Sequence, residues 1–167
     1  VGGVFGWFVY TLPAYFFHRA SHDFVGVWKW THQMHHAPVR NDAASSSVVH
    51  PIESLCYAII IVTVSQGLLG LSLQSVFVLL MMIQLFAFFP HTNIKTPEWV
   101  GYFIQRPEGH VLHHARRVQR VNYGDFPIWD MLFGTWINPK EYSLEPLGFG
   151  DGRDELYMDM LKGRLVS

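Results

Sequence analysis

The sequence predicts an all-α fold: an integral-membrane helical bundle under a histidine-rich helical cap on the cytoplasmic side. Three observations predict it. Half the residues are apolar and only 15% are charged, against about 25% charged in an ordinary soluble domain. Ser54 to Ile94 contains no Asp, Glu, Lys or Arg. The chain also holds ten histidines, eight of which fall into three short groups at helical spacing.

The membrane elements follow from the charge-free stretch. As one helix its 41 residues would reach roughly 60 Å, about twice the hydrocarbon thickness. It therefore reads as two spans, 54–70 and 74–90. The turn falls within Gly67 to Ser75, where Gly70, Ser72, Gln74 and Ser75 interrupt the apolar run. Val1 to Phe17 reads as a third membrane segment. Its Gly2, Gly3, Gly6 and Pro13 are tolerated in membrane helices, and it lacks the basic start of a signal peptide. Because the chain opens at Val1 inside this run, its N-terminal membrane segment is expected to be incomplete. A soluble protein with a buried helical hairpin is the alternative, but soluble cores seldom run so long without a charge.

Orientation follows from the basic residues. Arg19, Lys29 and Arg40 precede the hairpin; Lys95, Arg106, Arg116, Arg117 and Arg120 follow it; its turn has none. Regions 18–53 and 91–167 are therefore expected on the cytoplasmic face, of a bacterial inner membrane or the endoplasmic reticulum. Arg106-Pro107-Glu108 predicts a helix start, with Pro in the first turn and Glu at the positive dipole end. Asn122-Tyr123-Gly124 is expected to end that helix. Residues 138–167 read as an irregular tail with a short helix near 154–162. All 167 residues are expected to form one domain.

Composition also excludes. A net charge of -1 gives no electrostatic case for nucleic acid. The lone Cys56 rules out an intrachain disulfide and a multi-cysteine zinc site.

The histidines carry the chemistry. His18 and His22 stand four apart; His32, His35 and His36, and again His110, His113 and His114, form His-x-x-His-His triplets. Residues three and four apart share a helix face, so each group can present two or three imidazoles to one point. Buried imidazoles need partners for their ring nitrogens, and packing alone seldom assembles so many. Structural zinc needs four ligands and prefers cysteine, and a bis-histidine haem needs two, so the count favours two metal ions. Imidazole suits Fe, Zn, Cu and Ni alike. Asp23, Asp42, Glu53, Asp125 and Asp130 are candidates to accept the other ring N–H of a ligand, with a cap or exposed charge as the alternative, favoured for Asp42. Five of the six tryptophans (Trp28, Trp30, Trp99, Trp129, Trp136) read as an interfacial belt or as a channel lining.

The order of the histidine pair, triplet, apolar hairpin and second triplet resembles the fatty acid hydroxylase / sterol desaturase superfamily. Further stretches resemble it too: His50-Pro51-Ile52-Glu53, His91-Thr92-Asn93, Gly109 to Arg117, Asn122-Tyr-Gly-Asp125 and Trp129-Asp-Met-Leu-Phe-Gly-Thr135. The resemblance implies a di-iron centre, with zinc an expected substitute in isolated protein, and O2 as co-substrate. It implies hydroxylation or desaturation of an unactivated C–H in a lipid or sterol. As metal ligands it implies His18, His22, His32, His35, His36, His110, His113 and His114, with His91 as a further one. His50, Glu53, Asp125 and Asp130 are expected to support ligands rather than bind metal. The chain carries no dinucleotide fingerprint, flavin motif or cysteine cluster, so electrons are expected from an external donor, a b-type cytochrome or a ferredoxin with its reductase. Membrane lipids are the remaining expected partners.

Two rival readings stand: a membrane hydrolase with redox-inert zinc, and a non-enzymatic metal or haem binding protein. The second would need ionisable groups at membrane depth, and residues 55–89 hold no charge and no histidine.

Overall fold

The computed structural model describes all 167 residues and is entirely helical, with no strand. Helix α1 (Gly2–Asp23) is unbroken through Pro13 and carries His18 and His22 in its last turns. At its other end Gly2, Gly3 and Gly6 lie against the start of the second hairpin helix. A Cβ on Gly3 would come within 2.5 Å of the Ser75 carbonyl oxygen and of Val78, so only glycine permits this approach, as small residues do between membrane helices generally.

The hairpin follows. Helix α3 (Pro51–Val62) continues as a π-helical turn, Thr63–Leu68. Its start is set by Pro51 at the first turn and by His50, whose Nδ1 accepts from the Ile52 N–H. Gly70, at φ +55°, reverses the chain in a conformation that costs other residues more. Helix α4 (Leu73–Phe88) then begins at Ser72, whose hydroxyl accepts from the Ser75 N–H.

Two helical stretches, Pro51–Leu68 and Leu73–His91, are long and apolar enough to cross a membrane. Only 17% and 11% of their residues are buried, whereas the core helix of a soluble protein would be mostly buried. The hairpin thus presents apolar side chains such as Leu55, Ile59, Phe77 and Leu85 outward, as a membrane protein does. The third expected segment differs. At 22 residues α1 is long enough, but it is less apolar than the hairpin and extends past residue 17 into the polar run His18 to Asp23. Trp7, Tyr10, Val64 and Leu79 form the core that joins α1 to the hairpin.

The remainder packs beside the histidine ends of these helices. Helix α2 (Val25–Trp30) leads into a tight 3-10 turn at His32–Met34, so the first triplet sits on a turn and not on the expected α-helix. Pro38 disfavours helical geometry at Ala37, which leaves no room for a longer one. Helix α5 (Pro107–His114) carries the second triplet. It stops eight residues before Asn122, earlier than expected, because Ala115 is extended and the Arg116 N–H turns away to the Pro146 carbonyl. Asn122 acts in the loop instead: at φ +55° its amide bridges Gly109 and Ile137.

Two short helices remain, α6 (Ile128–Phe133) and α7 (Tyr157–Leu161). The latter lies in the otherwise irregular tail and shares a second core with Trp28, Met34, Ala37 and Phe149 through Met160.

The start of α5 is pinned by a feature not read from the sequence. Arg106 and Glu108, both fully buried, pair at 3.2 Å. Arg106 also donates to Thr96, Asn138 and Pro139, while Glu108 accepts from the backbone and hydroxyl of Thr96.

Candidate metal centre

Nine histidines converge in two groups, His18, His22, His32, His36 and His113 in one and His35, His91, His110 and His114 in the other. Within each group the ligand atoms lie within 4.8 Å of one another. The groups adjoin, for the His36 and His114 rings stack at 4.2 Å.

Each triplet is divided between them, that of α5 by helical phase. Its first and last members, four apart and nearly aligned, serve one group; its middle member serves the other. Thus His32 and His36 join the first group and His35 the second, whereas His110 and His114 join the second and His113 the first. One residue of helix turns a side chain by about 100°, enough to point His113 and His114 at different centres.

Hydrogen bonds set the tautomers. Nδ1 of His18 meets the Tyr123 carbonyl at 2.6 Å, that of His113 the Val121 carbonyl at 2.7 Å, and that of His91 the Ala87 carbonyl at 2.9 Å. His35 makes a longer contact to Val48. A carbonyl oxygen only accepts, so Nδ1 donates and Nε2 of the neutral ring presents a bare lone pair. The Nε2 atoms face one another: His18 to His32 at 2.8 Å and to His113 at 3.1 Å, and His36, whose Nδ1 has no partner, to His32 and His113 at 3.1 Å. In the second group His110 stands 3.0 Å from both His91 and His114, and His91 is 3.3 Å from His35. Where both Nδ1 atoms donate, as in His18 with His113 and His91 with His35, two bare Nε2 lone pairs meet that cannot hydrogen-bond to each other, an arrangement suited to a cation. Nitrogens bound to one ion at about 2.1 Å would lie roughly 3–3.4 Å apart, close to the 2.8–3.3 Å seen. Burial, reinforced by the neighbouring rings, pushes His32 down to about 3 and lowers His36, His113 and His114 as well. The rings are therefore neutral donors at ordinary pH.

The four supporting candidates separate. Glu53 accepts from His32 Nδ1 at 2.5 Å. Asp130 touches no histidine; it accepts from the N–H groups of Tyr123 and Gly124 and from the Thr135 hydroxyl, and so fixes the peptide whose carbonyl orients His18. His50 lies outside both groups and caps α3. Asp125 makes no side-chain hydrogen bond or ion pair to the chain; burial, with Asp130 nearby, pushes its carboxyl up to about 7. Of the others, Asp42 caps the turn at Ser45 and Asp23 pairs with Arg19 at the surface.

A cavity of about 540 Å³ opens onto both groups. His18, His32, His35, His91 and His110 line it, together with Tyr10, Ala14, Tyr57, Ile61, Ile83 and Asp125. Tyr10 and Tyr57 were not read from the sequence as site residues. Helical spacing held a signal for them, since Tyr10 is eight residues before His18 and Tyr57 four after Glu53. His22 lines a separate pocket of about 500 Å³ with Arg116, Arg117, Arg120 and Arg153. Of the six tryptophans, none borders the larger cavity and Trp28 alone borders the arginine pocket.

An apolar hairpin joined to two clustered sets of imidazoles marks a helical protein with two candidate membrane spans and a histidine-rich site able to hold metal. The chain belongs to the fatty acid hydroxylase family, whose model matches residues 3–135. It is also similar to the ornithine lipid hydroxylase OlsE of Rhizobium tropici, with 27% identity over 150 residues. That match takes in 87% of this chain but only 44% of the relative, so the chain spans less than half that protein's length. No solved structure matches the chain.

Proposed function

We propose that the chain is the metal-binding membrane domain of an O2-dependent lipid hydroxylase, with one iron ion in each histidine group and the site on the cytoplasmic face. The observation that carries this reading is the convergence of bare Nε2 lone pairs on two adjacent points. Nine donors in all, five in one group and four in the other, exceed the four that one structural zinc uses. When bound, a pair of iron ions would supply the activation of O2 that attack on an unreactive C–H bond requires.

The chain's own residues bind, orient and exclude water. Glu53 and the carbonyls of Tyr123, Val121 and Ala87 hold the rings in the tautomer that offers Nε2. Such partners fix ring direction and raise donor basicity. The cavity beside both groups admits a lipid between α1, α3 and α4, and its apolar wall at Ala14, Ala58, Ile61 and Ile83 keeps the reacting carbon from water. The relative's name supports a lipid substrate and hydroxylation over desaturation. Electrons come from an external donor, and the arginine pocket that reaches His22 suits an acidic carrier surface.

The test is a turnover of the iron-loaded membrane protein with lipid extract and an electron source under 18O2. One 18O atom in the product supports the reading. Product whose oxygen comes from water, or formed equally without O2, would overturn it in favour of a zinc hydrolase.

A further inference from the structure

Between Arg120 and Lys140 the only charged residues are Asp125 and Asp130, and the outer surface of this stretch is apolar. Ile128, Met131, Leu132 and Phe133 of α6 all expose their side chains, Leu132 by 67%. The polar groups turn inward. Asp130 is fully buried and accepts from the Tyr123 and Gly124 N–H groups and from the Thr135 hydroxyl. The Trp129 indole donates to Thr11 at 2.9 Å, and Asp125 lines the larger cavity. An exposed apolar face of this kind marks contact with protein or with lipid.

The course of the stretch along α1 decides between them. It starts level with His18, whose ring meets the Tyr123 carbonyl. The Phe126 ring then lies 5.8 Å from the rings of both Trp7 and Phe8. From there the chain returns: Trp129 bonds Thr11, Phe133 packs on Tyr15 and Phe16 at 5.4 and 5.0 Å, and Thr135 bonds Tyr15. Thr11 and Phe8 stand seven and ten residues before His18, about 10 and 15 Å along a helix rising about 1.5 Å per residue. About 15 Å is half of a hydrocarbon core. At that level α1 packs on the hairpin, since Trp7 shares a core with Leu79 of α4, within one of the two apolar spans. The exposed side of α6 adjoins Phe8 and Phe16, themselves exposed on α1, so one apolar surface runs from α1 onto α6.

We propose that Tyr123 to Thr135 is a re-entrant membrane segment whose outer side chains, Ile128 and Leu132 foremost, lie against lipid acyl chains. The proposal rests on the reading of the hairpin as membrane-spanning and goes beyond it, because part of the region 91–167 then lies within the bilayer. Charge placement agrees with lipid as the occupant. A carboxylate at membrane depth is tolerated where it faces the bundle, as Asp130 does. Exposed basic residues, Arg120 and Lys140, bracket the segment, where they meet anionic headgroups. Trp136 follows it and packs on Tyr102 at 5.1 Å, with Trp99 and Phe103 exposed on the same turn, and aromatic side chains of this kind gather at the membrane interface. The segment also supplies the Tyr123 carbonyl that orients His18, so one loop joins the lipid contact to a metal ligand.

The experiment is fluorescence quenching on the full chain in phospholipid vesicles, loaded with zinc, which has no redox chemistry to disturb the emission. In a Cys56→Ser background, Leu132→Cys or, in a second chain, Ile128→Cys carries an environment-sensitive label. Both positions are exposed, so neither substitution disturbs the core. Leu85→Cys, on the outer face of the hairpin, and Lys140→Cys are the references. The quenchers are phospholipid with brominated acyl chains and aqueous iodide. Labels at Leu132 and Ile128 should lose emission to the brominated lipid as the label at Leu85 does, and iodide should quench them several-fold less than the label at Lys140. Iodide quenching equal to that at Lys140 would overturn the proposal. So would protection from both quenchers, which would mean that a protein partner or a second copy covers the face. A label at Leu85 open to iodide and closed to lipid would overturn the membrane reading together with this one; lipid quenching at Leu85 but at neither α6 position would overturn this inference alone. Turnover does not enter the measurement, so failure of the hydroxylase reading shows separately, as missing 18O.

Discussion

Glu53 accepts the Nδ1–H of His32 at 2.5 Å, with both side chains almost wholly buried. The carboxylate sits in the first turn of α3, placed there by Pro51 and the His50 cap, and His32 sits on the turn before Pro38. A contact between the hairpin and the cap thus sets the direction of one donor. Outer partners of this kind are worth roughly 10–100-fold in metal affinity. Glu53→Ala is expected to weaken the first group's metal by that factor, measured by chelator competition on the purified protein. Glu53→Gln, which keeps an acceptor oxygen but not the charge, should fall between. Unchanged affinity in Glu53→Ala would remove Glu53 from the site.

The buried Arg106–Glu108 pair holds α5, and with it His110, His113 and His114, against the loop at Thr96. Removing one partner of a buried pair leaves an uncompensated charge and costs about 3–5 kcal/mol. Arg106→Ala should therefore lower the unfolding midpoint markedly and release metal from both groups at once. Replacing both, as Arg106→Met with Glu108→Leu, should cost less than Arg106→Ala alone. Denaturant unfolding of the metal-free variants reads the difference.

Acid should destabilise the metal-free protein, and the sign follows from proton counting. His32 in the fold is held down to about 3 by burial, and His36, His113 and His114 are lowered too, whereas in the unfolded chain they titrate near 6.5. Between those values the unfolded chain binds more protons than the folded one, so stability falls as pH falls. The loss begins near 6.5 and for His32 continues to about 3. Denaturant midpoints of metal-stripped protein should drop steadily from about pH 7 to about pH 5; a flat or rising profile would contradict the burial of neutral imidazoles.

Much of this was legible before any coordinates. The absence of charge from Ser54 to Ile94 forces a hairpin, and histidines at helical spacing must converge if their segments do. Tertiary pairing hid the rest. The end of α5 depends on a bond from Arg116 to Pro146, thirty residues on, which no local pattern encodes. Tyr10 and Tyr57 lie in apolar runs where tyrosine reads as an interfacial anchor, and only the fold brings them to the cavity wall. The division of the α5 triplet was present in the phase of its residues, but treating three spaced histidines as one face concealed it; that of the first triplet depends on the turn at His32–Met34. Asp125 and Asp130 read as equivalent carboxylates; the fold gives one to a loop and leaves the other facing the cavity.

That division yields the sharpest test of the two-centre arrangement. His113 and His114 are adjacent on α5 and both buried, yet they face different centres. If the groups hold separate ions, His113→Ala should deplete the ion of the five-histidine group and His114→Ala that of the four-histidine group. Each variant should retain one metal ion per chain after dialysis where the native chain retains two, with different spectra once cobalt replaces the native metal. The smaller group has fewer donors to spare, so His114→Ala should lose its ion more completely. His50→Ala serves as the reference. It removes a cap worth about 1 kcal/mol and should lower stability by that amount while keeping both ions. Loss of both ions from either α5 variant alone would mean that the nine histidines form one indivisible site. Identical cobalt spectra from the two variants would mean that phase does not sort them.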